Sequence, residues 1–338
     1  MDTQRLESLP PPPGVIVSLR AGFDAVAGHV GLILAPFALD LFLWLGPRLS
    51  VEQLLLPLFR YIFEQARRGV AASEVDRFLE AQTIFLDAVH DYNLFSLVGR
   101  LSTFPIGISS LLARKAPTGT PYGIPQGGIE DVSSLTALIG LMLLFALVGW
   151  IAGGLYFRQV SGATLGSTVG ISVMRAIIQT LIISLMWLIG LTLVSLPAVL
   201  ILTILALLSP LLANIVIVAI LLVSFWFIVP LFFTSHGIFV RKQNALLSIL
   251  TSMRMVWYTF PTSGMFVIST LILSQGLNYL WRVPPGDSWM MVVGLAGHAF
   301  ISTALLSASF IYYRDMNVWL QTAYEQWQKT HRAPTQHA

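Results

Sequence analysis

Ile177 to Phe233 reads IIQTLIISLMWLIGLTLVSLPAVLILTILALLSPLLANIVIVAILLVSFWFIVPLFF. It contains no charged residue. A bilayer core of about 30 Å takes roughly 20 apolar residues in helix, because every backbone polar group must be satisfied within the segment. The stretch is therefore long enough for two spans, Ile177 to Leu207 and Leu211 to Phe233. Ser209 and Pro210 interrupt it. Proline disfavours helix in the residue before it, so a tight turn is predicted there.

The same criterion finds four more spans, Val26 to Leu45, Leu135 to Phe157, Tyr258 to Trp281 and Trp289 to Tyr313. Composition agrees: the 338 residues are 56% hydrophobic and 10% charged, with mean hydropathy +0.78. A soluble domain carries about 25% charged residues. The predicted fold is all-α, a polytopic transmembrane helical bundle of about six spans. The net charge is only +3 and its basic residues stand singly or in pairs at span ends, which reads as topology and not as a nucleic-acid surface. With no cysteine, thiolate metal sites and disulfides are excluded.

Lysine and arginine in the short loops orient the spans. Arg158 and Arg175 flank the linker after span 2, and Arg241, Lys242 and Arg254 follow span 4. The turn after span 3 has none, and that after span 5 only Arg282. Spans 2 and 4 then end in the cytoplasm, which makes this a multi-pass protein of the cell membrane with both termini cytoplasmic. Met1 to Pro13 is polar and proline-rich, unlike a cleavable signal peptide, so the first span reads as retained.

The arginines recur in a pattern. Ser18-Leu19-Arg20, Ser172-Val173-Met174-Arg175 and Ser252-Met253-Arg254 precede spans 1, 3 and 5. Leu155-Tyr156-Phe157-Arg158, Ile238-Phe239-Val240-Arg241 and Ile311-Tyr312-Tyr313-Arg314 follow spans 2, 4 and 6. Each unit reads as a short interfacial helix ending in arginine, a span out and a span back, giving three parallel hairpin repeats. The positive-inside rule alone is the competing account of those arginines.

On the Arg158 to Arg175 linker with its Gly162 and Gly166, and the closing Ile311-Tyr312-Tyr313-Arg314-Asp315, the chain resembles bacterial membrane proteins related to the membrane domain of glycerophosphoryl diester phosphodiesterases. The resemblance covers Gly14 to Gly46 and Ser133 to Trp319. It implies architecture and not catalysis, since hydrolysis in that group belongs to a separate soluble barrel.

The chain divides into a disordered cytoplasmic N-terminus (1–13), a first interfacial helix with span 1 (14–46), an extracytoplasmic helical insert (47–132), spans 2 to 6 (133–313) and a cytoplasmic amphipathic helix and tail (314–338). The insert carries eight basic and nine acidic residues. Leu54, Leu55, Leu58 and Ile62 mark one amphipathic helix. Ser73 and Asp76 form a capping-box start for a second, bearing Phe78, Phe85 and Val89. Leu94 to Leu112, interrupted by Arg100, Pro105 and Gly107, reads as a helix on the outer surface, with a seventh span as the alternative. Pro117 to Gly128 is a loop or lid.

Ser133 to Gly286 contains no Asp or Glu, so spans 2 to 5 offer no carboxylate dyad, carboxylate metal site or acidic relay. No phosphate loop, zinc-protease helix, nucleophile elbow or dinucleotide fingerprint occurs. No catalytic, metal or cofactor residue is assigned, and no cofactor is expected. The candidate intramembrane polar residues are Asp40, His298, Gln179 and Asn214; the topology-setting residues are Arg20, Arg158, Arg175, Arg241, Arg254 and Arg314. Asp40 and His298 would form a pair in the functional reading. In the structural one, Asp40 snorkels to the interface and the histidines, His29 included, bond helix carbonyls. Gln179, Asn214 and Asn278 either line a polar path or hold helices together.

The partners implied are the lipid bilayer and a membrane protein docking on the insert. The leading expectation is a non-enzymatic membrane component that organises lipid or protein. The alternatives are a permease or permease subunit for a small apolar or amphiphilic solute, and a membrane enzyme acting on lipid at the outer interface.

Overall fold

The structure is a computed structural model that describes residues 11–70, 72–100, 105–115, 117, 119–125, 127–166 and 170–332. The N-terminal stretch before residue 11, with Arg5, and the side chains of Lys329 and Arg332 lie outside the described residues.

The chain is an all-α membrane bundle. Five helices are long and apolar enough to span: α6 (Leu135–Leu165), α7 (Val173–Leu208), α8 (Pro210–Phe232) continued by α9 (His236–Val240), α10 (Ala245–Trp281) and α11 (Met290–Arg332). A sixth is counted if α1 (Val15–Gly28) and α2 (Leu34–Leu45) are one broken span. The first span thus departs from expectation: Val26 to Gly28 belongs to α1, and a 3₁₀ turn over Val30–Ile33 separates the helices. The cause is local. His29 leaves helical geometry at φ −138° and ψ 58°, and Gly28 and Gly31 flank it.

The turn at Ser209 forms as predicted. Ser209 is extended, at φ −161° and ψ 113°, and its hydroxyl accepts from Leu212 N at 3.4 Å, capping α8 while Pro210 occupies the first helical position. The interfacial helices expected before span 5 and after span 6 are not separate pieces. Ala245 to Trp281 runs through with a kink at Thr259 (φ −126°), where Pro261 leaves the ladder short of one donor. Tyr313 to Arg332 simply continues α11.

The chain divides into two compact units. The first comprises 1–30, 157–274 and 303–338; α6, α10 and α11 each run from one unit into the other. Its core joins Phe233, Phe266, Tyr312 and Tyr313, with Tyr312 stacked on Phe266 at 4.3 Å. Phe157 packs on Phe239 and on Phe310. His236, not singled out in the sequence, is buried there and shares a hydrogen bond of 2.7 Å with Ser309.

All six topology-setting arginines fall in this unit. Arg158 donates to Ile171 O, Arg175 to Lys242 O and Arg241 to Asn317. Arg314 pairs with Asp315, Arg20 lies 3.8 Å from Asp24, and Arg254 is exposed. The three serines of the repeated pattern differ in role. Ser172 caps α7 and bonds Arg175 N, placing Arg175 at a helix start; Ser18 sits buried in α1, and Ser252 donates to Phe233 O from within α10.

The second unit comprises 31–156 and 275–302 and holds the insert. Strands β1 (Arg48–Ser50) and β2 (Ile129–Asp131) pair in parallel and tie the two ends of the insert together. Between them stand α3 (Glu52–Arg67), α4 (Val75–His90) and the single turn α5 (Leu97–Arg100). The two amphipathic helices face each other through Phe59, Phe63, Phe78 and Phe85. Ser73 does not cap α4. A 3₁₀ turn over Ala72–Glu74 puts Glu74 at that position, without a side-chain cap.

Gly22 of α1 meets α11 closely: a Cβ there would lie 2.5 Å from Ala304 O and from Ala308 N. Gly22→Ala is expected to lower stability in detergent by about 1–3 kcal/mol, the usual cost of overpacking. Gly190→Ala in α7, where nothing lies within 4 Å, serves as the control and leaves the thermal midpoint unchanged or raised, since alanine is the better helix former.

Candidate functional site

The described residues of Leu94 to Leu112, 94–100 and 105–112, form no continuous helix. They comprise a 3₁₀ turn over Leu94–Ser96, the one turn of α5 and, from Pro105, irregular backbone. Proline and glycine at 105 and 107 deny the segment a continuous helix. Yet Ile106, Leu111 and Leu112 are buried. Buried backbone outside helix or sheet must find its hydrogen-bond partners in side chains.

Those side chains are the ones the sequence marked as isolated and ionisable. Asp40, fully buried on α2, accepts from Ser110 Oγ at 2.5 Å, Leu111 N at 3.0 Å and Leu112 N at 3.1 Å. Arg282 donates to Leu111 O at 2.6 Å. Arg100 donates to Ala113 O and, at 2.6 Å, to Arg114 O. His298 shares hydrogen bonds with Ser109 Oγ at 3.3 Å and Asn278 Oδ1 at 2.9 Å.

Asp40 therefore does not snorkel, and His298 bonds side chains instead of a helix carbonyl. Among the described residues no hydrogen bond or ion pair joins the two. Both hold the same short segment, Ser109 to Ala113. His29 does bond a carbonyl of its own helix, Ala25 O, at 3.1 Å. In the other unit, Gln179 accepts from Ala245 N at 2.7 Å at the start of α10, and Asn214 is exposed on α8.

The held segment lies along α6. A Cβ on Gly153 would stand 2.7 Å from Gly107 Cα. Arg114, at the other end, lines the same cleft as Leu138. Leu138 and Gly153 are 15 residues apart on one helix, about 22 Å at 1.5 Å per residue. The described part of the segment thus has Gly107 against Gly153 of α6 and Arg114 bound through its carbonyl by Arg100 at the cleft.

That cleft has a volume of about 620 Å³. Its apolar lining includes Val51, Leu55, Phe85, Val89, Leu94, Leu138 and Met142. The same cleft is lined by Asp87 of α4 and its C-cap residue Asp91, and by Arg100, Arg114 and Lys115. The Arg100 guanidinium stands 5.0 Å over the Tyr92 ring. Burial pushes the Tyr92 phenol above its ordinary range, and Arg100 partly offsets it.

Of the cleft's charged residues, sequence reading named only Asp91 as a candidate group, in the enzymatic alternative. The available signal for the others was the placing of Arg100, Arg114 and Lys115 in a partly apolar segment. The remaining acidic residues do not assemble a catalytic group. Asp131 accepts from Gln53 at 2.7 Å, and His90 pairs with Glu52 at 2.8 Å. Among the described residues no cluster of three metal-ligating side chains occurs.

No protein-family model matches this chain, and neither a curated protein nor a solved structure matches it.

Two outcomes follow. Asp40→Asn keeps the shape but removes the charge and turns donors toward donors. It should cost about 1–3 kcal/mol, the penalty for a buried polar group left without a partner, and speed hydrogen exchange at the Leu111 and Leu112 amides. The hydrogen bond from Glu52 raises the His90 pKa above its ordinary 6.5. A raised histidine adds stability that is fully present below the unfolded value and lost as pH rises through the folded one. The effect is small because the His90 side chain is 65% exposed. An NMR titration should place His90 above the model-peptide value and return it there in Glu52→Gln.

Proposed function

We propose that this integral membrane protein is a non-enzymatic, lipid-binding component whose working part is the insert, with the cleft lined by α4, Arg100, Arg114 and Lys115 taking a lipid acyl chain. The observation that carries the reading is the cleft's lining. Apolar side chains line it together with five charged ones, the mixture an amphiphile needs. Its volume of about 620 Å³ falls within the range of about 300–1,000 Å³ that holds one small ligand.

Two further points favour lipid over a solute path. The polar groups facing Ser109 to Ala113 are satisfied by that segment, so they hold backbone and line no water-filled route. Gln179 is likewise occupied, and Asn214 is exposed where α8 is apolar on nearly every side. An enzymatic reading would need two of Asp40, His90, Asp91, Glu130 and Asp131 in hydrogen-bond reach of each other; their observed bonds run to Ser110, Glu52 and Gln53 instead.

The reading places the protein in the cell membrane with both termini in the cytoplasm, the insert outside and residues 105–114 as part of a re-entrant segment. A loop that enters and returns on one side leaves the span count even. Convergence of Phe157, Phe239 and Phe310 supports three repeated hairpins, and this is the architecture that the resemblance to the phosphodiesterase membrane domains implies. Exposed Leu58, Tyr61 and Ile62 on α3 offer a face for a membrane-protein partner.

Ala88 lines the cleft and is exposed, so Ala88→Trp fills the space without disturbing the core. Protein purified in mild detergent should retain lipid by native mass spectrometry, and the Ala88→Trp variant should retain several-fold less at the same thermal midpoint. Equal retention by both proteins, or none by either, overturns the reading.

A further inference from the structure

We propose that the cleft selects a zwitterionic phospholipid headgroup, a phosphodiester bearing an ammonium, as in phosphatidylethanolamine; this rests on the lipid reading above. The argument is the sorting of charge by segment. Asp87 of α4 and Asp91, the αR C-cap residue whose N–H bonds Asp87 O, stand four residues apart and both line the cleft. The cations Arg114 and Lys115 belong to the end of the held segment. Among the described residues no ion pair crosses the cleft between these two groups. Acidic and basic groups that come from different segments, line one largely apolar cleft and leave each other unpaired match a ligand that is itself a dipole on a chain.

Arg100 completes the division of labour. Its guanidinium is engaged by Ala113 O, Arg114 O and the Tyr92 ring, so it holds the segment in place and leaves Arg114 and Lys115 for the phosphate. The ammonium then faces Asp87 and Asp91. A purely anionic headgroup meets the same two cations but gains nothing from the two aspartates, whose carboxylates repel a second negative charge. An uncharged headgroup leaves both groups unpaired. Because these charged residues are exposed, each contact contributes modestly, and the selection appears as ratios between headgroups and not as high affinity.

The test is a titration of the delipidated full-length protein in detergent with phosphatidylethanolamine, phosphatidylglycerol and diacylglycerol of identical acyl chains, read by native mass spectrometry. Phosphatidylethanolamine should bind best. Arg114→Gln with Lys115→Gln should weaken both phospholipids by about tenfold, the loss of one charge-assisted contact. Asp87→Asn with Asp91→Asn should weaken phosphatidylethanolamine alone, by a similar factor, and leave phosphatidylglycerol unchanged or tighter. Diacylglycerol binding should be indifferent to all four substitutions, which reports that the cleft is intact in the variants. Phosphatidylglycerol binding as tightly as phosphatidylethanolamine, or a double aspartate variant that leaves phosphatidylethanolamine unmoved, overturns the headgroup assignment. The lipid reading survives that result so long as the lipids bind and Ala88→Trp displaces them. Failure of all three lipids to bind the unaltered protein overturns both.

Discussion

Backbone amides and carbonyls in an apolar surrounding have no water to turn to, and an unpaired one costs several kcal/mol. Most of this chain meets that demand with helix. The exception is Pro105 to Arg114, where buried backbone has no ladder of its own. Its N–H groups at Leu111 and Leu112 go to Asp40, and its carbonyls at Leu111, Ala113 and Arg114 go to Arg282 and Arg100. A buried carboxylate is costly in such a setting, and Asp40 is offset by the two buried amides and the hydroxyl it accepts from, while the exposed Arg282 and Arg100 reach in to the carbonyls. The position of Arg114 and Lys115, and hence the shape of the cleft, depends on this clamp.

The helices divide by what surrounds them. Half of the most apolar window of α11 is buried within the protein, whereas none of the corresponding window of α7 is. Apolar helix surface left exposed by the protein is solvated by acyl chains, so much of α7 and α8 reads as lipid-facing while α10 and α11 carry more of the interior. Length adds a second constraint. The 36 residues of α7 run about 54 Å against a hydrocarbon core of about 30 Å, and a mismatch of that size is taken up by tilting or by local thickening of the bilayer.

Much of the fold was legible in the sequence because hydropathy and turn chemistry act locally. The Ser209-Pro210 turn, the five unbroken spanning helices and the facing helices α3 and α4 all follow from residue type and spacing. What was not legible is what long-range contacts decide. His29 breaks the first apolar run although composition alone favours a span. Asp40 and His298 were visible as costly residues, but their common target, Ser109 to Ala113, lies about 70 and 190 positions away from them. The repeated Ser and Arg pattern shows the converse limit. Its arginines share one unit, yet Ser18, Ser172 and Ser252 occupy unlike positions, so similar letters do not imply similar local structure.

Placement of charge also separates holding from chemistry. A reactive group needs a second group poised against it and room for a substrate between them. Here the buried carboxylate spends its acceptors on backbone and a serine, the buried histidines bond hydroxyls and an amide, and the cleft that does have room is lined largely by side chains with no reactive atoms. The charges with space in front of them, Asp87, Asp91, Arg114 and Lys115, line that same cleft. This difference, between charges spent on backbone and charges that line a cleft, is what the proposed lipid reading draws on.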